Sequence, residues 1–186
     1  RSAYQKNKSL LDAYAQAVSG LEEIPAALYL TEDDYTAATG DTFEGKLLEY
    51  LGMENLAAGW ESWTIPEDAR ASLNPNVVFY DPSINLSQLV GQPGYSTSDA
   101  LQLETFWEAD TSAIARQGFS MFSAVFDMLD LAYPDLEISI PEEEPSLPGT
   151  SGEEALEEGN SPEDEDTLEF SDELPASREE QERRIS

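Results

Sequence analysis

Neither cysteine nor histidine occurs among the 186 residues. Their absence removes disulfides, thiol nucleophiles, the usual zinc ligand sets, and any Ser-His or Cys-His dyad. It does not fix a compartment, because a cysteine-free chain suits the cytosol and the cell surface equally. Positive charge is also scarce, with 9 basic residues against 39 acidic ones and a net charge of −30. Nucleic acid and anionic lipid both require Lys/Arg patches, so neither is expected as a partner. No run of about 18 apolar residues is present, which excludes a helix that spans a membrane. Carboxylates alone could serve acid–base chemistry only as a pair poised in one pocket, and no such pair is identifiable. No catalytic residues, no metal and no cofactor are expected.

What is present divides in two. From Glu137 to Ser186 the chain holds 18 acidic and 3 basic residues with clusters of Pro, Gly and Ser ("PEEEPSLPGTSGEEALEEGNSPEDEDTLEF"). Such a composition cannot bury enough apolar surface to offset its ordering entropy, so 137–186 reads as a disordered acidic tail. Residues 1–136 keep 21 acids against 6 bases, and the expected folded part is acidic in its own right.

Periodicity organises that part. Leu10, Leu11, Tyr14 and Val18 recur at helical spacing, and Gly20 ends the helix. "IPAALYL" (24–30) reads as a buried strand and "TEDDYTAATG" (31–40) as a loop. Asp41 and Glu44 form a capping-box pattern ahead of Phe43, Leu47, Leu48 and Leu51, with Gly52 at the helix end. A short helix is expected over 64–73, capped by Thr64, carrying Pro66 and Glu67 in its first turn, turning Leu73 inward and stopping at Asn74-Pro75. "NVVFYD" (76–81) lacks alternation, which suits a strand covered on both faces. "NLSQLVG" reads as a short helix and "TFWEAD" (105–110) as a strand whose Phe106 and Trp107 point to opposite faces. Phe119, Phe122, Phe126, Leu129 and Tyr133 mark the core stripe of a last helix ended by Pro134. Strands alternating with helices predict an α/β lobe, three layers deep, around a mainly parallel sheet.

Four patches in order, "GDTFEGKLLEYLGMENLAAG", "IPEDARASLNPNVVFYD", "LVGQPGY" and "ARQGFSMFSAVFDMLDLAYPD", resemble the C-terminal lobe of the substrate-binding proteins that serve ABC importers of ferric siderophores, haem and cobalamin. The resemblance spans roughly residues 10 to 136. It implies that 1–20 is the end of a helix linking two lobes and that 21–136 is the second lobe. It also implies an extracytoplasmic monomer whose other lobe, signal peptide and lipid-anchor cysteine would lie upstream. An iron chelate, haem or corrinoid would be held between the lobes and passed to the permease.

The family's outer-surface glutamate, which meets a permease arginine, falls by count from Pro75 on Asp68, with Glu67 beside it. A carboxylate facing arginine can take two charge-assisted hydrogen bonds. The alternative is that both acids only favour a helix N-terminus. By the same resemblance the ligand side would include Tyr35, Thr36 and Thr39 in the loop after the first strand. It would also include Trp63 near the rim, Trp107, and Arg116 ahead of the last helix. Trp60 or Trp63 could instead close the core, and Arg116 could pair with a local Asp. Two rival functions stand beside transport: a sensory ligand-binding domain of the same fold, and an acidic interaction protein acting through its tail.

Overall fold

The structure, a computed structural model, describes residues 2–138. The acidic tail expected over 137–186 therefore lies almost wholly outside the described residues.

Four parallel strands, β1 (Ala26–Leu30), β2 (Glu54–Asn55), β3 (Val77–Tyr80) and β4 (Phe106–Glu108), form one sheet in the order β2-β1-β3-β4. Three of them fall inside the segments predicted as strands. β2 was not predicted, because two residues are too few to show a period-2 pattern. Pairing of Tyr29 with Phe79 and of Phe79 with Trp107 sets the register across the centre.

Alternation along the strands sends side chains into two separate apolar layers. Ala27, Tyr29, Val77, Phe79 and Trp107 enter one layer, while Leu28, Leu30, Val78, Tyr80 and Phe106 enter the other. Phe106 and Trp107 thus do point to opposite faces. The first layer is closed by α1 (Ala3–Val18), α2 (Phe43–Tyr50), α6 (Thr111–Ala115) and α7 (Phe119–Ala132). The second is closed by much shorter pieces: α3 (Glu67–Arg70), α4 (Leu86–Leu89), α5 (Asp99–Leu103) and the segments between them. This is the expected three-layer lobe. No helix among the described residues is long and apolar enough to cross a membrane.

Local chemistry moved several boundaries. α2 is capped by Thr42, whose hydroxyl accepts from Gly45 N at 2.9 Å, and not by Asp41. Asp41 is engaged elsewhere, accepting from Thr39 Oγ1 and from Ser62 N. α3 is a single turn beginning after Pro66, shorter than the expected 64–73. Thr64 cannot cap it, since its hydroxyl donates to Ser62 O and its backbone bridges Thr36. The Asn74-Pro75 stop holds: the Asn74 side chain accepts from Asp99 N at 2.8 Å and donates to the Asp99 carboxylate.

α1 lies against α7, with Tyr4 edge-on to Phe122 at 5.5 Å and the Tyr14 hydroxyl donating to Asp130 at 3.2 Å. Gly52, at φ +77°, lets the chain leave α2 next to the end of α1, where a Cβ would come within 2.9 Å of Val18. Of the predicted last-helix stripe, Phe122, Leu129 and Tyr133 are buried and Phe126 is half-buried. Phe119 is not core: it is 59% exposed. As the first residue of α7 it stands beyond the layer that Met121, Phe122, Val125 and Met128 enter, and its ring meets that of Phe122 in a T-shaped contact at 6.2 Å.

Candidate ligand-binding rim

All four strands run the same way, so the loops leaving their C-terminal ends gather on one edge of the lobe. Open parallel sheets bind ligands at that edge, next to the point where strand order reverses. Here the reversal falls between β1 and β3.

The loop after β1 folds back on itself before entering α2. Leu30 bridges Ala37, and Asp33 accepts from both Tyr35 N and Thr36 N at 2.8 Å. A second segment, 61–65, is laid beside it. Ala37 N donates to Trp63 O at 2.9 Å, Ile65 N donates to Tyr35 O at 3.1 Å, and Thr36 bridges Thr64. Below this ribbon Thr39, fully buried, accepts from Trp63 N at 3.1 Å while its hydroxyl donates to Asp41 at 2.5 Å. Ser62 and Trp63 both take left-handed backbone, at φ 58° and 63°, which costs a non-glycine residue on the order of 1 kcal/mol. The hydrogen bonds from their two amides to Asp41 and Thr39 hold that geometry.

Beyond the ribbon, the ring of Tyr35 stacks on Tyr95 at 5.7 Å, and the guanidinium of Arg70 sits 4.2 Å over the Tyr35 ring centroid. The Tyr35 hydroxyl donates to Pro93 O at 2.8 Å, and the Tyr95 hydroxyl donates to Asp34 O.

At the other end of the edge, after β3 and β4, a pocket of about 450 Å³ opens between Asp81, Pro82 and segment 108–112. Its walls carry three carboxylates, Asp81, Glu108 and Asp110. Burial pushes the Asp81 carboxyl up, but hydrogen bonds from Ser83 and Thr111 outweigh it and hold the group below its ordinary range. Asp110 caps α6 by accepting from Ala113 N at 2.9 Å. Among the described residues no group of His, Cys, Asp and Glu is arranged to hold a metal ion.

Of the predicted residues, the structure brings Tyr35, Thr36, Thr39 and Trp63 together in one clasp. Tyr35 and Thr36 are half-buried, whereas Thr39 and Trp63 are inside, Trp63 at 6% exposure in the layer with Phe43 and Leu47. Trp107 lies apart on β4, half-buried against Phe79 at 6.0 Å. Arg116 is exposed at the far end of α6, carried about 7 Å along the helix from Thr111. Glu67 and Asp68 are exposed side by side on α3. Trp60 is half-buried against the layer of Leu28 and Leu30.

The burial of two polar groups was not read from the sequence, where Glu44 was expected only as the capping-box partner of Asp41. Glu44 is 2% exposed, and burial raises its carboxyl to about 7. Tyr29 is 1% exposed, and its hydroxyl is raised well above its ordinary value by burial first, then by Glu44, Asp81 and Asp110. A signal for Glu44 existed: Leu47 and Leu48, at i+3 and i+4, place it on the apolar stripe of α2.

No protein-family model matches the chain, and no curated protein matches it. Solved structures do. A periplasmic haem-binding protein from Pseudomonas aeruginosa superposes with a TM-score of 0.60 at 18% identity, over 74% of this chain and 53% of that one. Helicobacter pylori CeuE with Ni(II) bound gives 0.59 at 17% identity, over 70% of this chain and 44% of that one. An ABC-transporter substrate-binding protein from Listeria monocytogenes gives 0.54 at 17% identity, over 72% of this chain and 57% of that one. The chain spans about half the length of these proteins. Two of the three are binding proteins and the other holds Ni(II), and what this chain shares with each is the fold of about half the molecule. The described residues have the fold of one lobe of the periplasmic substrate-binding proteins.

Proposed function

We propose that the chain captures a solute for an ABC importer, as the C-terminal lobe of a two-lobed extracytoplasmic binding protein. One observation supports this most: a β2-β1-β3-β4 parallel sheet that superposes on half of such proteins gathers its loops on the edge where a ligand would lie. On this reading α1 is the end of the helix joining the lobes.

The ligand is an iron chelate, haem or corrinoid, closed between the lobes. Tyr35 and Thr36 meet it directly, with Thr39 and Trp63 holding them from below, and Trp107 and Arg116 contribute from the β4 side. The carboxylates of Asp81, Glu108 and Asp110 on the same edge disfavour a strongly anionic chelate, so haem or a corrinoid fits better. Glu67 and Asp68 register the loaded protein on a permease arginine, steering the encounter more than adding affinity.

Titration of the two-lobed protein with haemin, cyanocobalamin and a ferric trihydroxamate, read by tryptophan quenching, tests the ligand. A saturable response to one of them that weakens in Tyr35→Ala is expected. Three flat titrations would remove the ligand reading. Capture of the importer permease by the Glu67→Ala, Asp68→Ala double variant tests docking, and undiminished capture would remove that role.

A further inference from the structure

We propose that Arg70 and Tyr35 are the positioning residues of α3: the stack between them fixes this turn to the loop after β1 and keeps Glu67 and Asp68 unpaired for a basic partner. This rests on the docking role proposed above.

α3 has little of its own to stand on. It is four residues long and has no side-chain N-cap, far below the length at which a helix persists alone. Its order must come from neighbours. On one side, Ile65 N, just ahead of the turn, donates to Tyr35 O. On the other, Arg70 folds back so that its Nε donates to Ile65 O at 3.2 Å while its guanidinium covers the Tyr35 ring. One side chain thus closes the turn on the segment before it and on the loop beside it. Underneath, Gly94 at φ +88° passes so close that a Cβ would lie 2.1 Å from Arg70 O. Tyr35 is itself fixed by Tyr95 and by Pro93 O.

The stack also decides where a scarce charge goes. Glu67 precedes Arg70 by three residues, a spacing at which opposite charges on a helix normally meet. Arg70 instead faces an aromatic ring, and its ion pairing with an acid is not seen among the described residues. Glu67 and Asp68 are left exposed beside a cation that is already engaged. A partner arginine would therefore meet two carboxylates with no internal competitor.

Hydrogen exchange of the full chain, followed by mass spectrometry, tests the assignment without ligand or permease. Arg70→Ala and Tyr35→Ala should each speed exchange over 63–72 roughly two- to fivefold, as expected for loss of a cation–π contact at a partly exposed site. Exchange in β1, β3 and α7 should stay as it is. Tyr35→Phe keeps the ring and should restore most of the protection. In proton NMR the Arg70 side-chain resonances should carry an upfield ring-current shift, kept in Tyr35→Phe and lost in Tyr35→Ala. Unchanged exchange over 63–72 in Arg70→Ala would overturn the proposal, and so would equal acceleration across the whole lobe. If local loosening is found while the Glu67→Ala, Asp68→Ala variant still captures permease, the positioning stands and the docking role falls.

Discussion

Glu44 and Tyr29 sit in the same apolar layer, both essentially without solvent contact, and neither Glu44 Oε2 nor Tyr29 Oη has a hydrogen-bond partner among the described residues. A carboxyl in that setting resists ionisation, and burial raises its pKa to about 7. In the unfolded chain it would lose its proton near pH 4.3.

That difference gives a pH dependence with a definite sign. Below about pH 4 the group is protonated in both states and costs nothing. As pH rises from there to about 7, the unfolded chain releases the proton first, so stability falls. Above about 7 the full cost, on the order of 3 kcal/mol, is in place. Glu44→Gln should therefore gain stability over the parent at pH 8 and gain almost nothing at pH 4. Urea unfolding at the two pH values measures it, and an equal effect at both would contradict the assignment.

Removing the Thr39 hydroxyl should release the clasp. Thr39→Val removes the buried hydrogen bond from Trp63 N to the Thr39 hydroxyl and takes a donor from Asp41. A loss of about 1–3 kcal/mol is expected, with a red-shifted tryptophan emission as Trp63 meets water. A variant as stable as the parent would show that the left-handed pair at Ser62 and Trp63 is held by other contacts.

The two ends of the aromatic row on α7 should respond very differently. Phe122→Ala empties a buried site packed by Tyr4 and should cost about 3–5 kcal/mol. Phe119→Ala, at an exposed first helical position, should change stability by no more than about 0.5 kcal/mol. Comparable losses in the two unfolding curves would mean that Phe119 is covered in solution.

Gly94→Ala should disturb the turn beneath α3. The new methyl would face the Arg70 carbonyl from a left-handed backbone position, so neither the backbone nor the space suits it. A loss above about 1 kcal/mol is expected, with exchange rising over 63–72. A neutral effect would show that the 92–95 segment can withdraw from α3.

The sheet and the long helices were legible because each writes its own period. The Leu10, Leu11, Tyr14, Val18 spacing yields α1, and the unbroken "NVVFY" yields a strand buried on both faces, all four residues of which are inside. Short elements are harder, since a single turn or a two-residue strand has no period to show. α3 and β2 are fixed by partners distant in sequence, Tyr35 for the first and Ala26 and Ala27 for the second. The same limit applies to the rim. Tyr35, Thr36, Thr39 and Trp63 could be named beside Trp107 and Arg116, but that the first four form one clasp, and which of them face outward, depends on Asp41 reaching Ser62 and on Thr39 reaching the Trp63 amide. Phe119 was misplaced because periodicity finds the stripe of a helix but not how far along it the neighbouring layer extends.

The sheet ends on one side in a strand of two residues and on the other in one of three. Open strand edges are the templates on which β proteins recruit one another into aggregates. Edges this brief expose only a few backbone groups for pairing with a second molecule, and acids outnumber bases 21 to 6 over residues 1–136, so like copies repel before they meet. A lobe built this way should remain dispersed at high concentration even though its candidate binding edge is open.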